Sequence, residues 1–236
     1  GPGLLVLKLF LDRTAADELV VPSASIREGL LVRVALGNAA DSDDEIRRQV
    51  LASSASLGRR FRYDEEHALH VANLALRLFD ELKEEHGLGA RERLLLEAAA
   101  ILHDVGSFIR SSGHHRHSEY IIQNSEIFGL QRDDAAVVAS CARYHRKQGP
   151  SNAHATFMGL SREDRMAVLK LSALLRVADA LDRGHTQRVG IASVELREDA
   201  CVIRTEGALE LGLERLSLEE KGDLFEDVFG LQAVLA

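Results

Sequence analysis

"AILHDVGSFIRSSGHHRHSEYII", Ala100 to Ile122, carries four of the ten histidines of the chain. An apolar run ends on the pair His103-Asp104, and His114, His115 and His117 follow a Ser-Ser-Gly break. Ionisable groups at the end of an apolar helix cost free energy unless hydrogen bonds or a cation compensate them. An ion pair capping its own helix would account for the doublet taken alone. What the neighbouring helices set opposite it decides whether a metal accounts for it better.

Helical periodicity fixes which way each neighbour points. In "DEEHALHVANLALRLFDEL" (64–82), Val71, Leu74, Ala75, Leu78 and Leu82 form an apolar stripe that includes His67. In "DDAAVVASCARYHRK" (133–147), His145 shares a face with Val138, Cys141 and Ala142. In "RMAVLKLSALLRVADALDR" (165–183), Asp179 shares a face with Val168, Ser172 and Leu175, while Asp182 sits to one side. His117 opens "HSEYIIQ" with Ile121 below it. Singly, each could be a satisfied core residue. Titratable groups are rarely buried alone, so one shared centre is the economical reading of several helices that each turn one inward.

Further out, residues 43–183 read as helix nearly throughout, broken at "HGLGA", "SSGHH", "IFGLQ" and "KQGPSN" by Gly, Asn, Ser or Pro. Near "QRVGIASVELREDACVIRTEG" the period falls to two, with Val189, Ile191, Val194 and Leu196 before an Asp-Ala turn and Val202 and Ile203 after it, which predicts a hairpin. "LSLEEKGDLFEDVFG" returns to helix, and "LQAVL" closes as a strand. Residues 1–40 read helix, strand, helix, with the strand at Leu19–Val21 expected to pair with the C-terminal hairpin or a second subunit. The expected fold class is mainly α: a helical domain over 41–187, a small α/β subdomain over 188–236, and the short N-terminal segment.

Composition sets outer bounds. The 236 residues are 46% apolar and 28% charged, ordinary globular values. A formal charge of −8 argues against a duplex nucleic-acid binder, which needs a basic surface. Two cysteines, Cys141 and Cys201, make no disulfide scaffold. With no apolar run near the ~20 residues of a membrane helix, the expectation is a cytoplasmic protein away from membranes. The chain opens on Gly-Pro-Gly rather than Met, as expected of a trimmed chain or a fragment.

The ordered series His67, His103-Asp104, His117, His145 and Asp179 on a helical scaffold resembles the HD superfamily of metal-dependent phosphohydrolases. The stretches 59–88 and 95–130, "ARYHRK" (142–147) and "LRVADALDRGH" (175–185) resemble the C-terminal HD-like region of the exopolyphosphatase and guanosine pentaphosphate phosphohydrolase family. "VVPSASIREGLL" (20–31) looks like the end of that family's actin-like half. Almost all of that half, to which the family's exopolyphosphate hydrolysis is attributed, is missing. "DVGS" (104–107) imitates a phosphate loop but follows an apolar helix rather than a strand.

The resemblance implies His67, His103, Asp104 and Asp179 around one ion, with His117 and His145 added where there are two. Imidazole and carboxylate ligands suit Mn, Fe, Zn, Ni or Co, and Mg is included. His103 and Asp104 leave their helix about 100° apart, so both can approach one ion, and Asp104 is the expected bridge. His103 and Asp104 are thus the expected catalytic pair. His114, Arg116, Arg143, Arg146, Lys147 and Arg183 cluster in sequence around these positions and are the expected phosphate contacts; at helix ends they equally suit solvated termini. The expected ligand is a phosphate-containing small molecule or polyphosphate, and the expected assembly a homodimer or association with an actin-like domain. Two functions follow: a metal-dependent phosphohydrolase acting on a phosphate ester or anhydride, or a non-catalytic module that binds polyphosphate or nucleotide.

Overall fold

The computed structural model describes Lys8, Leu11, Arg13, 39–207 and 210–236. The predicted strand at Leu19–Val21 lies outside the described residues, as does nearly all of the segment read as helix, strand, helix over 1–40. The chain divides into two compact units, Gly1–Asp44 and Glu45–Ala236. The second holds every site residue and is described by itself below.

Helices dominate the described residues: α1 (Ala39–Arg60), α2 (Glu65–Glu81), α3 (Lys83–His86), α4 (Ala90–Leu102), α5 (His114–Gln123), α6 (Arg132–Tyr144), α7 (Ala155–Met158) and α8 (Arg162–Leu181). Their starts follow from local chemistry. Asp64 caps α2 by accepting the His67 N–H, and Ser161 caps α8 by accepting that of Asp164. Glu65 and Glu66 in one first turn and Glu163 and Asp164 in the other add favourable charge against the helix dipole. Gly87, at φ 61°, ends α3 in the left-handed conformation.

The axis of the bundle is α8. Every residue from Leu171 to Asp182 is buried, so the C-terminal half of α8 is enclosed on all sides, and the helix packs on α2, α4 and α6. The polar residues of that run, Ser172, Arg176, Asp179 and Asp182, therefore need partners inside the protein. In α4 the run Ala98-Ala99-Ala100 is fully buried, small enough for close approach of α2 and α6.

After α4 the chain tightens into a 3-10 turn, Val105–Phe108. A Cβ on Gly106 would stand 2.2 Å from the His114 carbonyl oxygen and 2.3 Å from the Ser118 nitrogen. The turn is pressed directly onto the backbone of α5, and only glycine fits. The Gly106 N–H donates to Ser118 Oγ, whose hydroxyl donates to the His103 carbonyl. Gly106 is a packing residue that joins the doublet to α5.

The predicted hairpin is present as β1 (Gly190–Leu196) and β2 (Ala200–Glu206), antiparallel, with a register shift between Ile191 and Ser193. Two helices follow, α9 (Gly212–Lys221) and α10 (Asp223–Phe229), and then β3 (Gln232–Leu235). β3 pairs parallel with β2, Cys201 opposite Ala233 and Ile203 opposite Leu235. A parallel neighbour requires a crossover, and α9 and α10 supply it while packing on α8. One hydrophobic core runs from Val50 to Leu235. Among the described residues no helix is long and apolar enough to cross a membrane.

Candidate metal centre

Five elements converge where α4 ends. His67 comes from α2, His103 and Asp104 from the end of α4, His114 from the first turn of α5, His145 from the end of α6, and Asp179 from α8. His67 Nε2 lies 3.6 Å and His103 Nε2 3.9 Å from Asp179 Oδ1. Asp104 Oδ2 is 3.8 Å from His103 Nε2, and its Oδ1 is 2.9 Å from His114 Nε2 and 3.5 Å from His145 Nε2. The donor atoms form two neighbouring groups, His67/His103/Asp179 and Asp104/His114/His145, each within 4.8 Å. His67 and Asp104 also form such a group with the exposed His185.

The far nitrogen of every ring is occupied. His103 Nδ1 contacts the Ala100 carbonyl at 2.7 Å, His145 Nδ1 that of Ala142 at 2.7 Å, and His114 Nδ1 that of Ser111 at 2.8 Å. In each case the acceptor is the carbonyl three residues back. His67 Nδ1 instead meets Asp182 Oδ2 at 2.7 Å. A carbonyl only accepts, so these contacts put the hydrogen on Nδ1 and leave an Nε2 lone pair facing inward. Bonds of this kind at the far ring nitrogen orient the imidazoles of metal sites.

What the inward lone pairs meet is the test of fit. His67 Nε2 and His103 Nε2 are buried without a hydrogen-bond partner among the described residues. His114 Nε2 and His145 Nε2 stand 3.1 Å apart. With hydrogens on both Nδ1 atoms, those two lone pairs point at each other and repel unless a cation or proton lies between. Orphaned acceptors are costly in a buried setting. Four imidazole nitrogens and two carboxylates form a donor set that suits borderline divalent ions.

Without an ion, protons and one ammonium carry the compensation. Burial disfavours charge on His67, yet the Asp179 and Asp182 carboxylates outweigh it and raise its pKa to about 9. Burial and the neighbouring His103 push His145 down to about 3. Burial opposes the charge of Asp104, but His103 and the His114 contact hold its carboxyl below the usual range. Burial likewise opposes Asp179, and the Lys221 ammonium, in contact with its Oδ2, keeps it ionised. Asp104, at 26% side-chain exposure, is the most open of the six. His185 stacks on the His67 ring at 3.7 Å and contacts Asp64 Oδ2 at 2.9 Å.

Of the residues singled out from sequence, His67, His103, Asp104, His145 and Asp179 come together, and His114 joins them. His117 does not. α5 begins at His114 rather than His117, a turn earlier than the Ser-Ser-Gly break suggested, because Gly113 takes the left-handed conformation before it. Ser118 then holds the inward position, and His117 is rotated about 100° from it and half-buried. Arg116, Arg143 and Lys147 line a separate small cavity, Arg146 is half-buried, and Arg183 is exposed after α8. Two members escaped sequence reasoning. Asp182 is three residues past Asp179 on one helix, a spacing that was readable. Lys221 arrives from α9 with no local signal.

A family model described as "Ppx/GppA phosphatase, domain III" matches residues 47–221. Proteins named guanosine-5'-triphosphate,3'-diphosphate pyrophosphatase are similar. That of Pseudoalteromonas translucida is 30% identical over 61% of this chain and 28% of its own length. That of Aeromonas hydrophila is 28% identical over 85% and 39%, and that of Photobacterium profundum 27% over 79% and 36%. The chain spans 28–39% of the length of these relatives.

Proposed function

The chain belongs to the Ppx/GppA phosphatase family, and we propose that its helical bundle is a metal-dependent phosphohydrolase of the HD type acting on a phosphoanhydride or phosphate ester. The observation that carries this reading is the pair of inward nitrogens, His67 Nε2 and His103 Nε2, fixed from behind at Nδ1 and without a hydrogen-bond partner in front among the described residues. His67, His103, Asp104 and Asp179 would hold one ion, and Asp104, His114 and His145 a second. When bound, a divalent ion supplies Lewis acidity and a water of lowered pKa. Asp104 lies between the two groups and is placed to serve both. Asp182 holds the His67 ring, and Lys221 holds one Asp179 oxygen while the other faces the histidines. The names of the relatives point to a guanosine pentaphosphate as one substrate to test, with polyphosphate as another. Free, buried Cys141 and Cys201 accord with a cytoplasmic setting.

A second reading, a non-catalytic module that binds polyphosphate or nucleotide, is favoured by the basic cavity beside the cluster, lined by Arg116, Arg143 and Lys147. One experiment separates them: metal content after purification without chelator, then phosphate release from guanosine pentaphosphate and polyphosphate with added Mn. Bound metal and turnover, both lost in His103→Ala and Asp104→Ala, support the hydrolase. A metal-free protein without turnover that still binds polyphosphate overturns it in favour of the module.

A further inference from the structure

The short segment after α8 brings one more histidine to the cluster. The His185 ring lies on the His67 ring, with centroids 3.7 Å and planes 11° apart. One donor atom each of His67, Asp104 and His185 lies within 4.8 Å of the other two. His67 is shared with the group His67/His103/Asp179, so an ion beside His67 is within reach of both groups. His185 differs from the buried members in its side-chain exposure, 39% against 26% for Asp104.

Its ring is held from behind as theirs are. Nδ1 meets Asp64 Oδ2 at 2.9 Å. Burial opposes the charge of Asp64, but the His185 contact and the His67 N–H hold its carboxyl below the usual range. An ionised carboxylate only accepts, so the hydrogen sits on His185 Nδ1 and Nε2 is left as the donor. Two carboxylates at this place each hold both histidines. Asp64 Oδ1 accepts the His67 N–H at 3.2 Å, while its Oδ2 takes His185. Asp182 Oδ2 takes His67 Nδ1, while its Oδ1 accepts the Thr186 and Gln187 N–H groups at 3.1 and 2.8 Å. His185 sits at φ 50° and Gln187 at φ 53°, left-handed conformations costly for side chains and sustained by these contacts. A ring that only covered His67 would need no carboxylate at its far nitrogen.

We propose that His185 is a further ligand of the ion held by His67, His103, Asp104 and Asp179, with Asp64 as the carboxylate that orients it. The inference deepens the hydrolase reading and rests on its metal centre. The ligand is a borderline divalent cation, for which an imidazole nitrogen is a suitable donor. As the most exposed donor, His185 is the one whose place an incoming oxygen ligand can take without disturbing the buried members. The N-cap of α2 then has two tasks: it starts the helix that carries His67, and it fixes the second imidazole over the first.

The test titrates the chelator-stripped chain with Mn by calorimetry and with Co(II) by visible absorption, in wild type and three variants. His185→Phe keeps a ring on His67 and removes the nitrogen. His185→Gly suits the positive φ, and Asp64→Ser keeps the helix cap while removing the carboxylate. Circular dichroism melts check that the folds are kept. Mn affinity is expected to fall about 10-fold or more in both His185 variants, and about 10-fold in Asp64→Ser. The Co(II) absorption is expected to change in His185→Gly, where water replaces an imidazole, and to return when free imidazole is added. Wild-type Mn affinity in His185→Phe, or a Co(II) spectrum that His185→Gly leaves unchanged, overturns the inference and leaves the metal centre standing. Absence of Mn and Co(II) binding in wild type overturns both, so the two failures are told apart.

Discussion

His67 shows how much one side chain depends on another. Its inward Nε2 points at Asp179 only because Asp182, fully buried, grips Nδ1 and is itself held by the backbone N–H groups of Thr186 and Gln187. Asp182→Asn keeps the shape but replaces the carboxylate by an amide, which no longer favours the tautomer and orientation that face the cluster. Metal affinity is expected to fall by about 10–100-fold, measured by Mn titration, with little change in the fold; unchanged affinity would refute the orienting role. At this scale the sequence was readable where periodicity was strong. His67, His103, His145 and Asp179 each sit on an apolar helical stripe, and a stripe has one inward direction. His114 and His117 were confused because they differ by less than a turn at a helix start, where a single left-handed glycine decides the phase. Lys221 was unreadable, since nothing near it in the chain reports that its ammonium meets Asp179.

Among elements, the contact between the 3-10 turn and α5 sets the spacing of the cluster. His114 approaches Asp104 because Gly106 lets two backbones touch. In Gly106→Ala the added methyl would meet backbone atoms that cannot rotate away, so α5 must shift. The expected loss is about 1–3 kcal/mol of stability, seen as a Tm several degrees lower, together with weaker Mn binding; a variant that melts and binds like wild type would show that the turn can move at no cost. The helices and the hairpin were legible from period and breakers. The parallel pairing of β3 with β2 was not, because a short apolar strand says nothing of its neighbour until α9 and α10 have found their places on α8.

Across the whole molecule, the bundle and the C-terminal elements share a charge. Asp179 is central in the bundle, while the ammonium that compensates it comes from α9. Lys221→Met retains the bulk and removes that charge. The metal-free variant is expected to lose up to about 3–5 kcal/mol, the cost of breaking a buried pair. Added Mn should then raise its Tm by more than it raises that of wild type, because the ion takes over the compensation. Equal melts of the two metal-free proteins would show that the pair contributes nothing to stability.

That one ammonium also limits how the protein can be dismantled or recombined. A seam near residue 187 is where composition invites a cut, yet severing there would strand an anion in the middle of the helices. Grafting a tail from a distant cousin onto this bundle would be expected to yield a viable hybrid only if the graft brought a cation to the same spot.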